Sequence, residues 1–539
     1  MQKRLMILGA GVMQGPAISI AKALGLETVV VDADPHAPCV SLADRFERID
    51  LKDKEGIAAL GVSLKAQGGL GGIMTAGTDF SATVAWVAAQ LGLPGIPYEA
   101  ALNASDKERM RRCFQAAGLP SPAFVVVEAV PDSGFSPPFG YPLVVKPVDN
   151  MGARGCCRVD HPEMLSSAVA DALRFSRTNR VILEAYMEGP EFSVDALVYQ
   201  GEICIHGLAD RHIFFPPYFI EMGHTMPTTL NTTAAESLLA VFRAGIRALG
   251  ITNGAAKGDM KLTPQGPMIG EIAARLSGGY MSGWTYPYSS GVEVTRGAIQ
   301  IALGRPPKGL EPIRQWTSAE RAFISIPGKV RSIQGIERAQ SLEYIRDLFL
   351  RIGPGTRVRF PENNVSKCGN SISAAPTREA AVHAAEQAAR AVLIRLEAPD
   401  SETEQFLASD ARDRVFPPAA FAIPESLSSL LAAFPEPEYA PIRGKASLAK
   451  PPVVLLRFQP LIESDLQDYT GRTVQESLEA VRAITGFPLP LEEAGTDAPA
   501  QIREPGTLVL GRRFWAALIR GGYQGAVYIV DTLVPFHSF

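Results

Sequence analysis

Asp259 and Glu271 are the two residues whose types and spacing speak most directly of chemistry. They lie in AAKGDMKLTPQGPMIGEIAARLSGG, two alternating segments joined around Pro264, Gln265 and Gly266, a pattern that predicts a β-hairpin. With the turn centred on Gln265, Asp259 falls opposite Glu271, and directly opposed side chains stand roughly 5 Å apart at Cβ. Two like charges so placed repel. A divalent cation relieves the repulsion, and Mg²⁺ typically binds through one or two carboxylates plus substrate phosphates, so Mg²⁺ is the expected ion, with Mn²⁺ an acceptable substitute. Period 2 puts Ala273 and Arg275 on the face of Glu271. A guanidinium then stands one step beyond the metal, able to fork onto a γ-phosphate or an acyl phosphate. A plain exposed hairpin is the alternative reading.

Two lysines suit an oligophosphate. Lys146 closes the apolar run PLVVK and is followed by the glycine loop DNMGARG. Its stem is buried and its ammonium emerges beside mobile backbone amides. Snorkelling into solvent is the alternative. Lys107 lies in the first turn of a helix, DKERMRRCFQAAG, that Ser105 or Asp106 can cap and that Gly118 and Pro120 stop. A lysine there opposes the helix dipole, so an anion near that end would stabilise it.

These residues need a scaffold. RLMIL, a glycine turn from Gly9 to Gly15, a helix from Pro16 to Leu24 and the strand ETVVVDAD form a βαβ unit. The spacing Gly9-x-Gly11-x-x-x-Gly15 with Asp32 ending the second strand invites a dinucleotide reading, but the third glycine is one position late. The expected role is a doubly wound domain beside the active site. A further strand, GGIMTAGTD, ends at Asp79, which could face a substrate; capping the helix that follows is the role expected of it.

The order of the Asp-Lys helix, the strand ending Lys-Pro, the glycine loop and VILEAYMEGPEFSVDALV resembles the ATP-grasp superfamily, in particular proteins like carbamoyl-phosphate synthase large chains and L-amino-acid ligases. The resemblance covers roughly residues 1–400. It implies that Lys107 and Lys146 hold ATP phosphates under the loop carrying Arg154. It further implies that Glu184, Tyr186 and Met187 belong to an interlobe hinge that meets adenine, and that Glu191 takes the ribose hydroxyls. The hairpin would carry the metal-binding acids. Its second strand usually reads Glu-x-Asn-x-Arg, whereas this chain has Glu271-Ile-Ala273-Ala-Arg275 and lacks the asparagine, in that family a metal ligand, which implies one ion instead of two, a water in the vacant position, or a weakened enzyme. The segment ADRHIFFPPYFIEMGHTMPTTL is similar to one that amino-acid ligases use on their substrate side. Glu221 would receive an ammonium and His224 a carboxylate or the incoming amine, unless the histidine merely packs in an aromatic loop. Ser277, Gly278 and Gly279 offer amides near an acyl phosphate.

The fold class expected is multidomain α/β and α+β: a Rossmann-like domain over 1–100, an ATP-grasp domain over 101–305 with its hinge near 184–191, an associated domain over 306–400, and an extra folded region over 401–539. In the later segments, WTYPYSSGVEVTRGAIQIALG reads as helix, as does Glu379 to Leu396, while PDSETEQ reads as a linker. PVVLLRF, GTLVLG and GAVYIVD read as strands, with a helix near Val474 to Thr485.

A chain of 539 residues with 46% apolar content can bury several cores. A net charge of −4, with no dense Lys/Arg run, argues against nucleic acid. Six scattered cysteines without a CxxC pair and an opening that runs straight into a strand fit a reducing cytoplasm. No stretch approaches the ~20 apolar residues of a membrane helix. The oligomeric state is not legible, a homodimer being the one assembly considered. The expected reaction joins a carboxylate, an amino acid or similar small acid, to an amine through an acyl phosphate at the expense of ATP. The rivals are a purine-pathway or bicarbonate-activating enzyme, a non-catalytic ATP-binding regulator, and, more distantly, an NAD oxidoreductase.

Overall fold

Runs of buried Leu, Ile and Val on both faces dictate a covered parallel sheet at the start of the chain. In a computed structural model, which describes residues 4–132, 134–408, 422–437, 451–493 and 507–533, β1 (Arg4–Leu8), β2 (Glu27–Asp32), β3 (Arg45–Arg48) and β4 (Leu70–Thr75) pair in the order β3-β2-β1-β4, all parallel. α1 (Gly15–Ala23), α2 (Lys54–Ala66) and α3 (Ser81–Gln90) complete this doubly wound domain. The glycine turn after β1 is filled by its own side chains. Gln14 donates to the Ala76 carbonyl, a Cβ on Gly9 would stand 2.9 Å from Gln14 Cδ, and Asp32 Oδ2 accepts from Ala10 N at 2.8 Å. The turn and its acid are thus spent on each other, which removes the dinucleotide reading. Asp79 does not cap α3 either: the N-cap is Phe80, with no side-chain bond.

Two further sheets follow. After α4 (Tyr98–Ser105) and α5 (Lys107–Ala116) come β5 (Phe124–Val127), β6 (Leu143–Pro147), β7 (Cys157–Val159) and β8 (Val181–Ala185), ordered β5-β8-β6-β7 with α6 (Leu165–Phe175) packed on them. The larger sheet runs β13-β12-β9-β10-β11-β14 through β9 (Glu191–Tyr199), β10 (Glu202–Phe214), β11 (Ile220–Met226), β12 (Gly254–Thr263), β13 (Gly266–Ala273) and β14 (Thr317–Phe323), each pair antiparallel. α7 (Thr232–Leu249) lays Leu238, Phe242 and Ile246, all fully buried, over this sheet with Met110 and Phe114 of α5. Asn231 caps its start, and Gly250 ends it at φ +82°, where a left-handed residue is required. The aromatic substrate segment is the β10–β11 hairpin, so His224 sits on a strand and not in a loop. The segment expected as one helix after it breaks at Gly291 (φ +78°) into α8 (Tyr286–Ser290) and α9 (Val294–Ala302).

The chain divides into two compact units: residues 1–321 with 372–385, and residues 322–371 with 386–539. In the second unit the strands Gly328–Gln334, Arg357–Val358 and Leu393–Leu396 form one sheet, and Val453–Leu456, Leu491–Glu492 and Leu508–Leu510 a parallel one. Three expectations are corrected here. The helix expected over Glu379 to Leu396 ends at Ala391, and Leu393–Leu396 is a strand. The stretch taken for a linker is a helix, Ser401–Ala408. GAVYIVD belongs to the helix Arg512–Leu533; its apolar run is buried on every side, the situation in which periodicity cannot separate strand from helix. The helix at Val474–Thr485 stands where expected, held by a Thr473–Glu476 capping box. Much of the proline-rich stretch after Ala408 lies outside the described residues. Among the described residues no helix is long and apolar enough to cross a membrane.

Candidate active site

The hairpin brings Asp259 opposite Glu271, by a route the sequence did not suggest. From Thr263↔Gly266 to Met260↔Ile269 the pairing follows a two-residue turn, Pro264-Gln265; a bulge then skips Gly270 and pairs Asp259 with Glu271. A Cβ at Gly270 would lie 2.9 Å from the Asp259 carbonyl oxygen, so the bulge needs glycine. Its carbonyl accepts from Arg111, a buried arginine of α5.

Arg111 ties the hairpin to the lysine strand. Its Nε donates to Glu184 Oε1 at 2.8 Å, and Glu184 Oε2 meets Lys146 Nζ at 2.7 Å. Burial pushes the Glu184 carboxyl up, yet Arg111 and then Lys146 outweigh it and hold its pKa below the usual carboxylate range. Glu184, expected on the nucleoside, is therefore occupied in presenting Lys146. Lys107 begins α5 because Asp106 caps it, accepting from Arg109 N at 3.0 Å. Its Nζ donates to Asn150 O in the glycine loop at 2.6 Å and stands 3.6 Å from Glu271. Burial opposes the ammonium, but Glu271 first and Asp79 next raise its pKa above the ordinary lysine value. Glu271 in turn is brought down to about 2: burial acts against ionisation and is overcome by Lys107, Lys146, Lys257 and Arg275. Asp79 belongs to the same group. Burial raises its pKa against the pull of Arg275 and Lys107.

Arg211, on β10, organises the other half of the site, and sequence reasoning passed it over. It reaches Asp259 at 2.7 Å, Glu221 at 2.8 Å and Glu191 at 3.3 Å, and these acids hold its pKa above the usual range despite burial. The signal available was that Glu191 and Glu221, both assigned to the site, flank a segment with a single arginine. Lys257 was missed too, although period 2 places it on the face of Asp259, with which it pairs. Glu191 also binds Lys261 at 3.2 Å, and Lys261 donates to Met187 O at 2.9 Å. Lys261 and Arg158 stand over the Tyr186 ring at 4.9 and 4.3 Å. Tyr186 and Met187 are thus joined to Glu191 across the crossover.

On the substrate side, the buried His224 bonds Thr285 Oγ1 through Nε2 at 2.8 Å, with Nδ1 3.3 Å from Glu320 and 3.9 Å from Glu221. Gly278 lies against Gly77, and a Cβ on Gly279 would stand 3.7 Å from Glu221 Oε1. Ser277 is turned away, donating to the buried Asp195 at 2.7 Å, so Gly278 and Gly279 are what that loop offers a ligand. Arg275 is buried, with Nη1 on Leu276 O at 3.1 Å. Arg154 bonds Asn150 Oδ1 at 3.1 Å within the glycine loop and touches none of the other expected residues.

Comparison with known proteins agrees with this layout. The ATP-grasp domain family matches residues 139–283, the ATP-grasp N-terminal domain family residues 18–95, and the L-amino acid ligase C-terminal domain 2 family residues 322–397. Residues 18–397 thus carry domains of the ATP-grasp family. The chain is 24% identical to the uncharacterized protein y4rH of Sinorhizobium fredii, over 68% of this chain and 77% of that protein. It is 26% identical to carnosine synthase 1 of Gallus gallus over 57% of this chain but 36% of that protein, and 35% identical to the D-alanine–D-alanine ligase of Halorhodospira halophila over 30% of this chain and 54% of that one. The chain thus spans about a third of the carnosine synthase and about half of the D-alanine–D-alanine ligase. Among solved structures, an L-amino acid ligase from Bacillus licheniformis has the same fold at a TM-score of 0.64 and 21% identity, over 74% of this chain and 99% of that one.

Proposed function

We propose that the chain is an ATP-dependent carboxylate–amine ligase that activates an amino acid or similar small carboxylate as an acyl phosphate. One observation carries the reading: four cations, Lys107, Lys146, Arg211 and Arg275, converge on the two opposed carboxylates Asp259 and Glu271. Likeness to carnosine synthase and D-alanine–D-alanine ligase supports an amino-acid substrate over bicarbonate. So does the acidic pair Glu221 and Glu320 around His224, which suits an ammonium.

The donor set fits Mg²⁺. Asp259 takes Arg211, Lys257 and Ser193 all on Oδ1, which leaves Oδ2 without a side-chain partner among the described residues. With two carboxylates as its protein ligands, the ion would take its remaining ligands from phosphates and water. When bound by Asp259 and Glu271, Mg²⁺ supplies charge neutralisation on the transferred phosphoryl group.

In the proposed reaction Lys107 and Lys146 hold phosphate oxygens, with Glu184 and Arg111 fixing where Lys146 stands. Tyr186, Met187 and Glu191 hold the nucleoside. A carboxylate oxygen of the substrate forms a bond to the γ-phosphorus as the bridging β–γ bond breaks and ADP departs with its electron pair. Arg275 steadies the resulting acyl phosphate, while the loop at Asp149 to Gly155, with Arg154, excludes water. The amine nitrogen then bonds to the acyl carbon, phosphate leaves with the C–O electron pair, and the nitrogen releases a proton. Positioning and preorganised charge do most of the work. Replacing Lys146 by Ala is expected to cut ATP turnover by roughly 10²–10³-fold, the scale for losing one preorganised donor. Turnover equal to the native rate would remove Lys146 from the phosphate site.

A further inference from the structure

Lys257 is a charged group of the hairpin, beside Asp259, to which the proposed reaction gives no part. It stands on β12 directly opposite Ala273, and its ammonium pairs with Asp259 Oδ1. The methyl of Ala273 offers no ligand, so the cross-strand position beyond Glu271 is filled by a cation from the facing strand. Asp259 Oδ1 is already held by Arg211 at 2.7 Å and receives Ser193 Oγ at 3.3 Å. Lys107 stands 3.6 Å from Glu271. Three permanent positive charges therefore lie within ion-pair distance of two carboxylates, and only one oxygen of Asp259 is left to a metal. These cations already outnumber the two carboxylates, so a divalent ion depends on the phosphates that the nucleotide brings, and a second ion on the Ala273 side would meet the Lys257 ammonium.

We propose that Lys257 is a built-in cation that takes the place of a second divalent ion, so that the site works with a single ion per bound nucleotide. The inference rests on the reading of Asp259 and Glu271 as metal ligands. Lys257 is a positioning residue: it fixes Asp259 and withholds space and charge from a second ion.

Mn²⁺ counted by electron paramagnetic resonance, in the presence of saturating β,γ-imido-ATP, tests this without turnover. The full chain is expected to bind one Mn²⁺ per bound nucleotide. Ala273→Asn, with the lysine in place, should still bind one, as should Lys257→Arg, which keeps the charge. The double variant Lys257→Gln/Ala273→Asn should bind two. Two ions on the native chain or on Ala273→Asn alone would overturn the proposal, as would a double variant that folds natively by near-ultraviolet circular dichroism and still binds one. If the fold of the double variant fails, a second ion gained by Lys257→Arg overturns it and a single ion supports it. Failure of the underlying reading looks different: Asp259→Asn/Glu271→Gln would then bind nucleotide-dependent Mn²⁺ as the native chain does.

Discussion

Glu184 and Glu271 each face a lysine, but their surroundings give them separate tasks. Glu184 is 2% exposed and bonded on both oxygens by Arg111 and Lys146, so it anchors a lysine from within the fold. Glu184→Ala leaves two cations facing a buried hole, and breaking such a pair from one side costs about 3–5 kcal/mol. A fall in the midpoint of urea unfolding of that size, together with a raised KM for MgATP, is the expected outcome. Glu271 is more open and is held ionised by the cations around it. Its folded pKa, about 2, lies below the ordinary 4.5. The stability its charge contributes is therefore complete above pH 4.5 and is lost as pH falls through about 2. Thermal melts of native protein and Glu271→Gln should converge on acidification across that window; a gap that widens would contradict the sign. Arg211 was hidden from sequence reasoning because its partners sit at 191, 221 and 259, and only strand pairing brings such separated positions together.

The hairpin shows both the reach and the limit of reading elements from sequence. Alternation of apolar residues identified β12 and β13, and the facing of Asp259 and Glu271 followed from a turn centre that the structure does not use. Two errors cancelled, a turn one residue shorter than assumed and a bulge at Gly270, because a bulge depends on close backbone approach that no periodicity records. Gly270→Ala should force the bulge out and slip one strand by a residue, moving Glu271 to the opposite face. A loss of roughly 10²-fold in kcat/KM for MgATP is expected, the scale of about 1 Å of misplacement; native kinetics would show that the bulge is dispensable. The capping signal at Asp106 was legible because side chain and backbone are close in sequence, whereas the cap expected at Asp79 was not formed. The strand expected at GAVYIVD failed for the opposite reason: burial on all sides of Arg512–Leu533 is a tertiary fact.

In the second unit the late part of the chain is built into the core of the earlier part. Arg395 bonds Asp531 through two nitrogens at 2.7 and 2.6 Å, and Gln524 bonds Ile326 N, Ser325 Oγ and Ile394 O. The helix Arg512–Leu533 shares one cluster with Leu455, Leu478 and Val481. Asp531→Ala leaves a buried guanidinium unpaired and should lower the stability of this unit by about 3–5 kcal/mol. Truncation after residue 400 should make residues 322–371 open to trypsin within minutes under conditions where the full chain resists; an equally resistant fragment would show that the earlier segment folds alone. Residues 139–283 match the ATP-grasp domain family, and in the proposed reaction ATP is spent on joining a carboxylate to an amine. Phosphate release from MgATP, measured against single and paired amino acids, small carboxylic acids and bicarbonate, tests it most directly. The account predicts release that requires both a particular carboxylate and an amine, with stoichiometric ADP and an amide product; ADP formation driven by bicarbonate alone, or none across the panel while nucleotide still binds, would contradict it.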